Sequence, residues 1–259
     1  MAGNELEVAT FLFRNIGKIE LNHLGILHEI GAPRNSGGYT VINRLEELSL
    51  LSTEDAGKKA DIYINGIGVS IKQSGGSFPY NRLQRAEILK VFELLGFQHP
   101  NDKLNRIDKE VDDFHHGLIR TRARPWRNLF EECDFKRLLR FLMMEGSPNR
   151  GISSHPAQYI LEAPSSGMTC SNVHLHDFED YFDAYKDHIY FSIRRQWIGQ
   201  ISNSEHNRAL GLARKPGNQP WVYASIAGAP RNVIDGTIWR ENVPIADRRT
   251  VYLIFFEKA

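Results

Sequence analysis

The sequence predicts an α/β chain with a central mixed β-sheet flanked by helices, followed by an appended α+β region. Three observations predict it. Amphipathic stretches at helical spacing alternate with β-branched runs as far as Phe97. Two of those runs are joined by Asn65-Gly66, a two-residue hairpin signal. Beyond Met144 the apolar pattern is mostly that of strands. A chain of 259 residues, 41% hydrophobic and 24% charged, can build a core without staples, and its composition excludes disordered, collagen-like and coiled-coil classes.

Taken in order, residues 3–15 read as a helix, with Leu6, Ala9, Leu12 and Phe13 on one face and Asn4 as its cap. A second helix is expected over 18–30, stopping at Gly31-Ala-Pro33. Asn35–Gly38 is a loop and Tyr39–Leu45 a strand. Ala60–Asn65 and Ile67–Lys72 form the hairpin, Gln73–Ser77 is a loop, and Arg82–Leu95 is a helix. Gln98–Lys103, with Pro100, reads as a linker, so the expected division is a core over 1–103 and a second region over 104–259. Pro125–Met144 reads as a long basic amphipathic helix, with strands near 156–163, 172–176, 188–199, 221–226 and 249–256.

Thirty-two Lys and Arg against 31 Asp and Glu leave a net charge of +1, so any electrostatic footprint must be local. Cys133 and Cys170 lack metal or disulfide spacing, which suits a reducing cytoplasm. Glu5 and Glu7 stand where a signal peptide would carry basic residues, and the longest apolar run, Val251–Phe256, is far too short to span a membrane. No phosphate-binding glycine loop and no HExxH motif occurs, and His115 and His116 read as polar surface.

The chemistry lies in Asp61-Ile-Tyr-Ile-Asn-Gly-Ile-Gly-Val-Ser70-Ile-Lys72. Asp61 opens one strand of the hairpin. Ser70 and Lys72 are two apart on its partner and share a face. Pairing gathers a carboxylate, a hydroxyl and a lysine at one sheet edge. Metal-assisted phosphodiester hydrolysis needs such a set: Asp61 and the Ile71 carbonyl to hold Mg²⁺, and Lys72 to orient or deprotonate water and offset developing charge. A strand Asp beside a strand Lys also fits a surface ion pair of little energetic weight.

This segment resembles the catalytic hairpin of the PD-(D/E)XK nuclease superfamily, with Ala60 in place of the proline and Ser70 in place of the second acid. Some type II restriction endonucleases of that superfamily carry an uncharged polar residue there, followed by x-Lys and a Ser-rich stretch, as in Ser70-Ile-Lys72-Gln-Ser-Gly-Gly-Ser77. Ala213-Arg-Lys-Pro-Gly217 and Trp221-Val-Tyr-Ala-Ser225 are similar to their C-terminal region. The resemblance implies a restriction endonuclease-like core and a sequence-specific double-stranded DNA endonuclease. Such an enzyme uses Mg²⁺ at a short site, works beside a cognate DNA methyltransferase and is compatible with a monomer. It implies Asp61 and Ile71 as metal ligands, with Ser70, Lys72 and Gln73 completing the site. A glutamate on the first helix joins them, Glu7 first and Glu5 second. Two alternatives stay open: a structure-specific or repair nuclease with the same core, and a DNA-binding protein whose active site has decayed at Ser70.

Basic residues cluster at 120–140 and 194–215, while 177–187 is acidic. Arg122 and Arg124 alternate as on an extended arm. Arg82 and Arg85 start a helix, a place suited to phosphate. The loop expected at 202–208, with Asn207 and Arg208, and Arg214-Lys215 after it form the expected recognition region, because Arg, Lys and Asn read base edges and phosphates. Trp221 and Tyr223 read as packing aromatics.

Overall fold

A computed structural model describes residues 3–52, 57–74, 79–225 and 239–258. The chain opens with α1 (Gly3–Arg14), then the short strands β1 (Glu20–Leu21), β2 (Gly25–Ile26), β3 (Ile30–Pro33) and β4 (Tyr39–Val41). The hairpin β5 (Ile62–Ile64) and β6 (Ile67–Gln73) follows, then β7 (Pro79–Leu83), α2 (Arg85–Leu94), α3 (Pro100–His115) and β8 (Ala123–Pro125). After α4 (Glu132–Arg140) come β9 (Gly146–Ser147), β10 (Gly151–Ile152), β11 (Tyr159–Ala163), β12 (His174–His176) and α5 (Phe178–Tyr185). The last elements are β13 (Ile189–Ile198), α6 (Asn203–Ala213), β14 (Val222–Ala224) and β15 (Arg249–Lys258).

The chain is mixed α/β, with a central mixed sheet flanked by helices, and it divides into two units. One comprises Met1–Phe78, Lys136–His188 and Lys258–Ala259; the other comprises Pro79–Phe135 and Ile189–Glu257. The division expected near residue 103 is therefore corrected: the chain passes between units more than once. Pro100, read as linker, stands in the first turn of α3, where its missing N–H costs nothing.

The first unit holds a six-stranded sheet in the order β12-β11-β6-β5-β3-β4. β11 runs parallel to β6 in register Glu162↔Lys72, and the other pairings are antiparallel. Asn65 and Gly66 take φ of 49° and 79°, the left-handed pair that a tight hairpin turn requires. The Asn65 side chain pins this turn: Oδ1 accepts from the N–H of His28 and Glu29, and Nδ2 donates to the carbonyls of Leu24 and Ile26. Val8, Ala9 and Leu12 of α1 bury against Ile62, Ile64, Val69, Ile71 and Leu161. Such burial is the main stabilising term, roughly 25 cal/mol per Å² of apolar surface.

The second unit holds a sheet ordered β14-β15-β13-β8, with β7 also paired to β15. Its core is aromatic. Trp126 stacks on Phe135 at 4.2 Å, and Phe92, Phe97, Phe130 and Phe256 gather about them.

Several local expectations are corrected. Residues 18–30 form no helix but the short strands β1 and β2 and the start of β3, joined by turns and irregular chain, because positive φ at Gly17, His23 and Gly25 reverses the chain while Ile19 and Leu21 alternate inward. The long helix expected over Pro125–Met144 is broken. Pro125 pairs with Tyr190 as strand, residues 126–128 are 3-10, and the α-helix starts only at Glu132. The loop expected at 202–208 is the first half of α6, capped by Ser202. α1 starts at Gly3, so Asn4 lies within it, and the side chain of Asn4 is outside the described residues. The expected loop residues 75–77 and the end of the strand at 226 also lie outside them. Among the described residues no helix is long and apolar enough to cross a membrane.

Candidate functional site

In the first unit, hairpin pairing begins at the acid: Asp61 N–H donates to Val69 O at 2.9 Å. Asp61 Oδ2 accepts from Ile71 N–H at 2.7 Å and from Ser70 Oγ at 3.1 Å. Lys72 Nζ donates to Ser70 Oγ at 2.6 Å and to Ile71 O at 3.1 Å. Asp61, Ser70, Ile71 and Lys72 are thus one bonded cluster. Lys72 bonds to neutral oxygens rather than pairing with Asp61, so the simple ion-pair reading of this hairpin does not describe it. Gln73 ends β6, partly buried and in register with Ala163.

The strand is held at close quarters from behind. A Cβ built on Gly68 lies 2.5 Å from Pro156 O and 3.1 Å from Ala60 Cβ, so only glycine fits. The N–H groups of Lys59 and Ala60 both donate to His155 O, and Gln158 N–H donates to Gly68 O at 2.7 Å.

The glutamate beside the cluster is Glu5, not Glu7. Glu7 is exposed on α1, whereas Glu5 is partly buried. Burial raises the Glu5 carboxyl above its ordinary range, and the charge of Asp61 raises it further against an opposing pull from Lys72. The signal was in the spacing: Glu5 heads the stripe of Val8, Ala9 and Leu12 that α1 buries. Lys59, which the sequence reading passed over, is buried with Nζ donating to Leu142 O at 2.7 Å. Burial pushes its pKa down to about 8, Lys72 pushes the same way, and Asp61 opposes.

Asp61 carboxylate, Ser70 hydroxyl and Ile71 carbonyl are all hard oxygen donors. Two of them already hold an ammonium, and the donor set fits a divalent cation such as Mg²⁺. Exposed His23 and Asp180 and half-buried Asp177 also lie together, but Asp177 is occupied in capping α5 through Asp180 N–H at 2.8 Å.

In the second unit, a cavity of about 440 Å³ is lined by arginines from several elements: Arg82, Arg122, Arg194, Arg195 and Arg208. Arg82 lies over the Phe255 ring at 5.5 Å. That desolvation lowers its guanidinium pKa, and the charge of Arg208 adds to the effect. Of the expected DNA contacts, Arg82, Arg122 and Arg208 therefore share one concavity. Arg194 and Arg195 belong with them, within a basic run that the sequence displays. Glu257 pairs with Arg194, and Glu205 accepts from Gln200.

The remaining expected contacts do not join that concavity. Arg85 grips Asp108 with two bonds, at 2.8 and 2.7 Å, and donates to Gly217 O at 3.1 Å. Arg124 pairs with Glu110 at 3.1 Å, and Lys215 with Glu87 at 3.0 Å. Arg214 and Asn207 are exposed. The 213–221 segment is a structural corner. Asn218 Oδ1 accepts from Ala86 N–H at the start of α2, a Cβ on Gly217 would lie 2.8 Å from that of Ala86, and buried Trp221 donates to Asp108 at 2.7 Å. His115, expected at the surface, is 1% exposed, hydrogen-bonded to Tyr252 Oη at 3.0 Å and stacked on Tyr223.

Comparison of the chain with protein-family models, with curated proteins and with solved structures found no match.

Proposed function

We propose that the chain is a Mg²⁺-dependent, sequence-specific double-stranded DNA endonuclease of the type II restriction class. The reading takes the hairpin unit as a restriction endonuclease-like core and the other unit as its DNA-recognition region. The observation that carries it is the bonded cluster of Asp61, Ser70, Ile71 and Lys72 beside Glu5. The arginine-lined cavity supports the choice of a polyanionic substrate.

Asp61, Ser70 and the Ile71 carbonyl would hold the cation, which when bound supplies Lewis acidity toward the phosphodiester. Ser70 Oγ–H and Ile71 N–H donate to Asp61 Oδ2 and fix that carboxylate in place. Lys72 Nζ, leaving Ser70 Oγ and Ile71 O, donates to the scissile phosphate and offsets the charge that develops on it. Glu5, whose proton affinity is raised, takes a proton from the attacking water. Arg82, Arg122 and Arg208 contact the phosphate backbone. On this reading a cognate methyltransferase protects the host's own sites.

The test is digestion of unmethylated phage DNA by the purified chain, with Mg²⁺ and with EDTA. Discrete Mg²⁺-dependent fragments with one end sequence are expected. A smear, or cutting confined to flaps and mismatches, would replace the reading with a non-specific or repair nuclease. Duplex binding without cutting under any metal would mean that Ser70 marks a lost site.

A further inference from the structure

The arginine cavity of the second unit gathers more positive charge than the fold pairs. Five arginines line its volume of about 440 Å³ against two carboxylates, Glu205 and Glu257. Glu257 pairs with Arg194, and Glu205 accepts from Gln200. Among the described residues, Arg82, Arg122 and Arg208 pair with no carboxylate. They reach the same cavity from separate elements: β7, the approach to β8, and α6. The Phe255 ring seats Arg82 at 5.5 Å and Arg194 at 5.8 Å. Burial disfavours the charged form of Arg82, and the nearby charge of Arg208 adds to that effect. Like charges gathered in this way repel one another, and an anion between them reverses the sign.

The arrangement selects among anions. A guanidinium fork matches phosphate oxygens two at a time. An internal diester of a nucleic-acid strand carries one negative charge. A phosphomonoester offers three acceptor oxygens and a charge of about −1.5 to −2 at neutral pH. Three arginines without a carboxylate partner therefore complement a monoester better than a diester. The cavity also falls within the roughly 300–1,000 Å³ of sites that enclose a compact ligand, so the phosphate can enter with the sugar and base that carry it.

We infer that this cavity is a phosphomonoester site and that its ligand is the terminal phosphate of a DNA strand or of a free nucleotide. Internal diesters of a duplex meet the same arginines and are held more weakly. The inference goes beyond the endonuclease reading and does not need the hairpin to cut.

The experiment has two arms, both on the full chain in EDTA so that nothing is cut. Fluorescence anisotropy measures binding to a short labelled duplex whose end carries a 5′-phosphate, a 3′-phosphate or hydroxyls alone. A phosphorylated end should tighten binding roughly 10- to 100-fold. Thermal unfolding then compares deoxyadenosine 5′-monophosphate with deoxyadenosine, and the monophosphate alone should raise the melting temperature. Arg82→Ala and Arg208→Ala should each remove most of these effects, whereas Arg214→Ala, outside the cavity, should keep them. A gain at phosphorylated ends without a shift by the monophosphate assigns the strand terminus. A shift by the monophosphate without a duplex gain assigns the free nucleotide, and either result supports the shared chemistry. Equal affinity for all duplex ends, with no shift by the monophosphate, overturns the inference and leaves the endonuclease reading standing. Effects kept in full by both cavity variants overturn it as well. If no duplex binds and the monophosphate still stabilises the chain, the inference stands and the endonuclease reading falls. The wild-type comparisons need no variant, so a substitution that fails to fold leaves the test intact.

Discussion

Asp108 is the hub of the corner formed by α2, α3 and the 213–221 segment, and removing it should be among the costliest single changes in the second unit. Its Oδ1 accepts from Trp221 Nε1 at 2.7 Å and from Arg85 Nε at 2.8 Å, while Oδ2 accepts from a terminal nitrogen of Arg85 at 2.7 Å. Asp108→Ala strands the indole N–H of Trp221, a residue with no exposure, at roughly 1–3 kcal/mol. It also breaks a two-bond arginine–carboxylate pair in which both side chains are less than a quarter exposed. Charge-assisted bonds of this kind contribute about 1.5–3 kcal/mol. The losses share one carboxylate and do not add fully, so about 3–5 kcal/mol is expected. Asp108→Asn keeps one acceptor and should lose roughly half as much. Urea unfolding followed by tryptophan fluorescence reads both variants against Arg214→Ala, whose exposed side chain should leave the midpoint within ~0.5 kcal/mol of wild type. An Asp108→Ala chain within ~1 kcal/mol of wild type would refute the structural reading of this corner and return Arg85 to the set of free phosphate contacts.

Burial pushes His115 down to about 4, with its neighbours His116, Asp112 and Arg195 adding smaller effects of both signs. Its folded form binds a proton less readily than the unfolded chain, so its contribution to stability is complete above about pH 6.5 and is lost as pH falls toward 4, by at most ~3 kcal/mol. Unfolding at about pH 7 and about pH 4.5 should show wild type losing more than His115→Gln, and equal losses would remove His115 as the cause. Gly68→Ala forces a Cβ against Pro156 O at 2.5 Å and should cost about 1–3 kcal/mol in thermal unfolding; a neutral effect would mean that the 155–158 segment yields freely. Arg122→Ala with Arg208→Ala should flatten the dependence of log affinity on log salt by ~0.9 per lost phosphate contact, measured by fluorescence anisotropy on a labelled duplex. An unchanged slope would take these arginines off the backbone.

The hairpin was legible because local chemistry settles it. Asn65-Gly66 permits the left-handed turn, and the placement of Asp61 against Ser70 and Lys72 follows from strand pairing alone. Its cluster formed as the period-two pattern requires. Three other signals were present and outweighed. Ser202-x-x-Glu205 is a capping pair that announces α6, and Ser202 does accept from Glu205 N–H. Pro100 marked a helix start and read as linker. Glu5 shared the buried stripe of α1, while Glu7 did not. What local pattern does not carry is which arginines are consumed by long-range ion pairs. Arg85 meets Asp108 from the neighbouring helix, and Lys215 meets Glu87 from more than a hundred residues away. The interleaving of the two units is equally non-local, since it depends on strand order rather than on any single segment.

The central claim is that the hairpin cluster cleaves DNA through Lys72. Single-turnover cleavage of unmethylated duplex, with enzyme in excess and Mg²⁺ varied, tests it directly for the wild type and Lys72→Ala. The account predicts a rate loss of roughly 10²–10³-fold at saturating Mg²⁺, with duplex binding retained. A Lys72→Ala chain that cuts within about threefold of wild type, below the scale of one charge-stabilising donor, would contradict it.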